Sequence, residues 1–232
     1  MSSVLLLRLL VGFAGAVVVA FVARRVKVLT TDGAIAAATI GTIIYGFGGW
    51  SMAALLLLFF VSSGLLTRVQ SHRKFHPEHR RGRSADQVLA NGIVAALSAI
   101  WYGLSPSSAA LSAYAGAIAA STADTWATEI GLLSPRPPRL ITTWKVVPAG
   151  RSGAITLLGS AGGLAGAVLI AAAGSWWMPI QFGPVAIAGI AAMFIDSLTG
   201  ARIEGRIRVI DNNVVNVITT ATGAILAGVL VR

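Results

Sequence analysis

Ser121-Thr122-Ala123-Asp124-Thr125-Trp126-Ala127-Thr128-Glu129-Ile130-Gly131 closes an apolar run that begins near residue 107. Its two carboxylates stand where lipid would exclude them. An ionisable group near bilayer depth is costly and persists mainly where it faces a bundle interior, a cavity or a metal. The stretch therefore reads as the end of a membrane helix that turns polar groups inward at one surface. The rest of the chain agrees. Of 232 residues, 56% are hydrophobic and 11% charged, and apolar segments of spanning or near-spanning length recur from end to end. The expected fold class is an all-α, polytopic transmembrane helix bundle. Its polar loops, around 67 to 85 and 132 to 153, are too short to bury a core of their own, so residues 1–232 read as a single integral membrane domain. With no cysteine, disulfides, thiolate metal sites and cysteine nucleophiles are excluded.

Candidate spans fall at about 4 to 23, 33 to 47, 50 to 66, 86 to 103, 107 to 124, 154 to 173, 184 to 199 and 213 to 231. The second and fifth are short, which leaves seven or eight crossings. The first is followed directly by Arg24, Arg25 and Lys27 and is long for a cleaved leader, so it reads as a retained helix. A net charge of +10 raises the question of nucleic acid, and its distribution answers against it. Of the 18 Lys and Arg, all but Arg8 and Arg232 fall in alternate connections, at 24 to 32, 67 to 85, 132 to 153 and 200 to 212. That asymmetry places the basic loops in the cytoplasm and both termini outside. Trp50, Trp101, Trp176 and Trp177 fall on the opposite face and suit an interfacial aromatic belt.

The acids follow the basic residues, although topology does not require it. Asp32, Glu78, Asp86, Asp124, Glu129, Asp196, Glu204 and Asp211 all lie in or beside the cytoplasmic connections. A polar site on that side follows. A transporter would instead carry its polar groups near the midplane, often in broken helices. Asp124 and Glu129 are separated by about 140° on a regular helix, so either their roles differ or the helix ends between them. The chemistry open to them is holding a divalent cation, because Mg²⁺ typically takes one or two protein carboxylates plus substrate phosphates. The plainer alternative is a pair of interfacial acids balanced by loop arginines.

Further polar segments gather at the same level. Lys145, Gly150, Arg151, Ser152 and Gly153 precede the start of a span, where glycine and free backbone N–H groups suit phosphate; a short basic loop obeying membrane topology is the simpler account. Gln87 and Asn91 share a helix face four residues apart, as do Asn212 and Asn216. Buried amides commonly glue helices together, and Asp86 reads as a helix cap. Asp196-Ser197-Leu198-Thr199-Gly200-Ala201 ends one span much as Asp124-Thr125 ends another, and Asp211 opens the last. Gly159 with Gly163, and Gly162 with Gly166, form overlapping GxxxG patterns for close packing. His72, His76 and His79 mimic a metal cluster, but Pro77 and the neighbouring arginines favour a solvated loop near headgroups or phosphates.

These segments together resemble an integral membrane family known as domain of unknown function ninety-two, which includes phytyl-phosphate kinases. The resemblance rests on Gln87 to Gly92, Ala123 to Gly131, Pro138 to Thr142, Val147 to Gly153, Asp196 to Ala201 and Asp211 to Asn216, in the family's order. It implies transfer of a phosphoryl group from a nucleoside triphosphate, usually CTP, to an isoprenyl monophosphate. Under that implication Asp124, Glu129 and Asp196 are the catalytic and Mg²⁺-binding set. Gln87, Asn91, Lys145, the Gly150 to Gly153 segment, Asp211, Asn212 and Asn216 bind nucleotide or phosphate, and apolar helix faces receive the prenyl tail. The implied partners are the prenyl phosphate, nucleotide and membrane lipid, without nucleic acid; a homo-oligomer is compatible. Two other classes are carried alongside: a cytidylyltransferase forming a CDP-lipid, and a non-enzymatic carrier of small anions or lipid phosphates.

Overall fold

The computed structural model describes residues 3–68, 82–204 and 210–231. The loop carrying His72, His76, Glu78 and His79 lies outside the described residues. Seven helices follow in order: α1 (Ser3–Arg25), α2 (Thr31–Arg68), α3 (Ala85–Leu104), α4 (Ser108–Gly131), α5 (Leu157–Trp177), α6 (Phe182–Arg202) and α7 (Asn212–Leu230). A two-stranded antiparallel ribbon, β1 (Arg139–Leu140) with β2 (Ala154–Ile155), sits in the α4–α5 connection. The all-α membrane bundle is the fold the sequence predicts.

Helix α2 accounts for two of the predicted spans. Its 38 residues would reach about 57 Å if straight, nearly twice the hydrocarbon core of a bilayer. It breaks at Gly49, whose φ of 73° and ψ of −162° lie outside the helical region. Only glycine adopts such a conformation at little cost. The two halves then run back along each other, because Gly64 near one end packs against Val28, just before the other end. Tyr114 of α4 fastens the returning half by donating a hydrogen bond to the Met52 carbonyl at 2.6 Å. Counted this way the chain makes eight passes, and Trp50, Trp101, Trp176 and Trp177 are all exposed at the end opposite the basic connections.

Six of the helices are long and apolar enough to cross a bilayer. The seventh, α4, is instead the central one. Every residue from Ala110 to Ala123 is buried, on all sides of the helix. A helix enclosed all round must be narrow if its neighbours are to approach, and this one consists largely of Ala, Gly and Ser. Close approach is met by glycine on the partner helices. A Cβ on Gly159 would lie 2.5 Å from the Ala127 carbonyl oxygen, and one on Gly163 would lie 2.8 Å from that of Ala123. The GxxxG faces of α5 thus pack on α4, as their spacing predicts. On the other side α4 and α7 cross at Gly116 and Gly223, where a Cβ on Gly223 would lie 2.5 Å from the Gly116 carbonyl oxygen.

The predicted fifth span stopped at residue 124, whereas α4 continues to Gly131. Two polar residues of that extension, Asp124 and Glu129, turn toward partners on neighbouring helices, described below. Replacing Gly116 with Val puts a branched side chain against the α7 backbone. The expected cost is about 1–3 kcal/mol, as for other overpacked cores. It is measured as a lower Tm of the detergent-solubilised protein, with helical content retained.

Candidate functional site

At one end of the bundle the ends of α3, α4, α6 and α7 and the α4–α5 connection surround a cavity of about 310 Å³. Each wall comes from a helix end. Gln87 and Asn91 project from the first turns of α3, Asp124 and Glu129 from the last turns of α4, Asp196 from α6, and Asn212 and Asn216 from the start of α7. The α4–α5 connection closes over it with Gly150, Arg151, Ser152 and Gly153. Residues from distant parts of the chain are therefore brought to one place.

The acids divide between two faces of α4. Asp124 meets Asp196 of α6, their carboxylates within hydrogen-bonding reach of each other. Two carboxylates in such contact must share a proton or a cation, since like charges at that separation repel. Thr219 of α7 holds the pair in place by donating its hydroxyl to Asp196 Oδ1 at 2.7 Å. Glu129, 6% exposed, faces the other way and accepts a 2.7 Å hydrogen bond from the Thr67 hydroxyl at the end of α2. The helix does not end between Asp124 and Glu129, so their separate faces give them separate surroundings. Among the described residues no three acids or histidines converge on one point, although Glu204 lies close enough to Asp124 and Asp196 to act on both electrostatically. As a donor set, the Asp124–Asp196 pair fits a hard divalent cation that completes its shell with phosphate oxygens and water.

Arg83 is a cation of the cavity wall that the sequence reading left unassigned. Its backbone is fixed by pairing with the α1–α2 connection: its N–H donates to the Val28 carbonyl at 2.9 Å, and its own carbonyl accepts from the Thr30 N–H at 3.1 Å. The side chain lines the acid cavity and lies over the Phe59 ring, 5.8 Å from its centroid. Burial draws the guanidinium pKa below the ordinary arginine value, while Glu129 and Asp124 oppose the fall. An arginine so placed stays cationic near neutral pH. Only its position one residue before the Ser84 cap of α3 marked it in sequence.

The α4–α5 connection is an ordered strap. Ile141 N–H donates to the Gly153 carbonyl at 3.0 Å, and Gly150 and Gly153 take φ of 84° and 76°. Gly153 has no room for a side chain, since a Cβ there would lie 2.6 Å from the Ser197 carbonyl oxygen of α6. The glycine turn is thus pinned beside Asp196. It does not itself open α5, which begins after Thr156, whose side chain accepts from the Gly159 N–H at 2.9 Å.

Two residues expected to bind phosphate are not brought to the cavity. Lys145 is exposed on the strap and absent from the cavity wall, and Asp211 caps α7 by accepting from the Val214 N–H at 3.0 Å. Gln87 and Asn91 line the wall but also carry structural bonds. Gln87 accepts from the Ser84 N–H at 3.1 Å, and Asn91 donates to the Gln87 carbonyl at 2.9 Å. Thr67 and Thr219, which bond the acids of the site, carry no local sequence signal that distinguishes them from interfacial polar residues, and Glu204 stands out in the sequence only as one of the acids of that surface.

Fold and cavity together define an integral membrane protein with an acid, amide and arginine site at one end of its bundle. The chain belongs to the family described as integral membrane protein DUF92, which matches residues 14–224. It is 38% identical to an uncharacterized membrane protein of Methanocaldococcus jannaschii, over 97% of this chain and 95% of the relative. It is 33% identical to Protein PGR of Arabidopsis thaliana, over 80% of this chain and 75% of the relative. Protein VTE6, chloroplastic, of the same plant is 27% identical over 86% of this chain and 64% of the relative. No solved structure matches the chain.

Replacing Thr67 with Val removes a donor from the enclosed Glu129 carboxylate. We expect a loss of about 1–3 kcal/mol, the range for a buried polar group deprived of a partner. In a double-mutant cycle with Glu129→Gln, the two changes are expected to cost less together than separately, read from thermal unfolding.

Proposed function

We propose that this protein is a membrane-embedded isoprenyl-phosphate kinase that transfers the γ-phosphoryl group of a nucleoside triphosphate, with CTP the favoured donor, to a prenyl monophosphate such as phytyl or geranylgeranyl phosphate. The observation that carries the reading is the contact of the Asp124 and Asp196 carboxylates within one cavity also lined by Arg83 and Arg151. Kinship supports it, through a family that the sequence resemblance ties to phytyl-phosphate kinases.

Phosphoryl transfer asks little covalent participation of a protein and much positioning and charge neutralisation. Asp124 and Asp196 would hold Mg²⁺, which supplies neutralisation of the triphosphate charge. Arg151 and the Gly150 to Gly153 turn would hold donor phosphates, and Asn212 and Asn216 would orient the nucleotide. Gln87 and Asn91, on the cavity wall at the start of α3, would orient the acceptor. Glu129 would act by balancing Arg83. An oxygen of the acceptor monophosphate attacks the γ-phosphorus and a new P–O bond forms. The bond to the β–γ bridging oxygen breaks, and the nucleoside diphosphate leaves with that electron pair. A phosphate nucleophile is already ionised at neutral pH, so no strong general base is needed.

Purified protein incubated with Mg²⁺, labelled CTP and geranylgeranyl monophosphate is expected to release CDP and the prenyl diphosphate. Pyrophosphate release would identify a cytidylyltransferase, and absence of nucleotide consumption a carrier. Asp124→Asn is expected to lower turnover at least tenfold, about 1.4 kcal/mol in barrier, with the fold intact. Unchanged turnover would remove Asp124 from the mechanism.

The proposed orientation sets the cavity on the cytoplasmic side and both termini outside, as the basic connections favour. Because the chain has no cysteine, single substitutions report directly. In intact cells an impermeant thiol reagent should label Trp176→Cys and leave Lys145→Cys unlabelled until the membrane is opened. The reverse pattern would invert the topology.

A further inference from the structure

A second cavity, of about 380 Å³, lies between α1, the two halves of α2, and the start of α3. Its wall is aliphatic and aromatic along nearly its whole length. Polar groups concentrate at the end where Arg83, Gln87 and Asn91 stand, and those same three residues line the acid cavity. The two cavities therefore share one stretch of wall, with a guanidinium in it. From Phe60 at that end to Trp50 beside the Gly49 break, the wall of α2 runs ten residues, about 15 Å along the helix and about half of the hydrocarbon thickness.

The empty space follows from the sequence. Gly12 is filled in by its neighbour, since a Cβ there would lie 3.0 Å from a ring carbon of Tyr45, but a Cβ on Gly15 would meet nothing within 4 Å. Gly15 faces the cavity and leaves it open at that turn, while α1 packs on α2 beside it, where a Cβ on Gly41 would lie 3.0 Å from the Ala16 side chain.

We propose that this cavity is the chamber for the single hydrocarbon tail of a lipid monophosphate, with Arg83 holding the phosphate at the shared wall and the depth of the chamber selecting tail length. The inference rests on the kinase reading for the identity of the head group and deepens it by naming where the acceptor lies. An arginine presents a planar fork of donors suited to phosphate oxygens. Its contact with Phe59 keeps that fork at the boundary between the apolar and polar spaces. A tail in the chamber brings its phosphate toward Asp124, where the donor phosphates would lie.

The test uses the full chain in nanodiscs of phosphatidylcholine, with geranylgeranyl and geranyl monophosphate as probes. Binding is measured without nucleotide by competition against a fluorescent prenyl monophosphate, and turnover with CTP and Mg²⁺. Gly15→Phe, with Gly15→Leu as a milder variant, fills the chamber. The preference for the longer probe over the shorter should fall at least tenfold in binding. The reference is Gly183→Phe, which also adds a side chain in open space but lies outside the chamber. Arg83→Ala should weaken both probes alike and leave their ratio unchanged. Dioleoyl phosphatidic acid, with two tails, should compete poorly.

An unchanged chain-length ratio in folded Gly15 variants would overturn the chamber while leaving the kinase reading in place. Equal competition by the two-tailed lipid would make the cavity an ordinary lipid berth and overturn the proposal. If wild type forms no diphosphate but the binding ratio shifts as expected, the kinase reading fails and the chamber stands. If wild type binds neither probe, the chamber fails.

Discussion

The structure depends on the close packing of one helix that touches no lipid along its middle. From Ala110 to Ala123 every side chain of α4 is enclosed, and the surrounding helices reach it by giving up side chains of their own at Gly159, Gly163, Gly189 and Gly223. Within a bilayer, small residues at helix contacts replace the hydrophobic drive that folds soluble bundles, since lipid tails are as apolar as leucine. Close contact fixes rotation as well as distance. Once α4 is seated between α5 and α7, the direction in which its last two turns point is no longer free.

That fixed rotation builds the site. Five residues separate Asp124 from Glu129, which turns one acid toward α6 and the other toward α2. Each then finds a threonine on a further helix: Thr219 supports the aspartate pair and Thr67 supports the glutamate. Three helices are thereby tied to the end of a fourth through polar contacts, at the level where the basic connections gather. The strap carrying Gly150 to Gly153 is held against α6 by the absence of a side chain at Gly153. Pinning it there keeps a loop of many rotatable bonds within reach of the acids.

Much of this was legible in the chain. Periodicity and apolar length located the spans, and the placement of lysine and arginine grouped the connections at one end. The 3.6-residue pitch sets the two acids of a continuous α4 on different faces. Asn212 and Asn216 share a face because they are one turn apart, and both line the cavity. The hydrophobic signal stops near Asp124, whereas the helix runs on to Gly131, and Glu129 in that extension finds a partner in Thr67 of α2. Arg83, Thr67, Thr219 and Glu204 were not legible as site residues, because their roles arise from contacts between segments dozens of residues apart. Lys145 and Asp211 lie apart from the cavity instead. Their local sequence resembles a phosphate loop and an acid cluster, yet one points to solvent and the other satisfies a helix N-terminus.

Beneath the acid cavity, Ala113, Ala117 and Ile118 of α4 pack with Ala188 of α6 and Ala227 of α7 into a continuous apolar layer. An ion that enters beside Asp124 meets methyl groups with no room for a hydration shell, and stripping that shell would cost several kcal/mol at the least. The layer is therefore an electrical insulator beneath a wet, charged vestibule. Charged groups can thus stand within the thickness of a membrane without short-circuiting the gradient that the same membrane sustains.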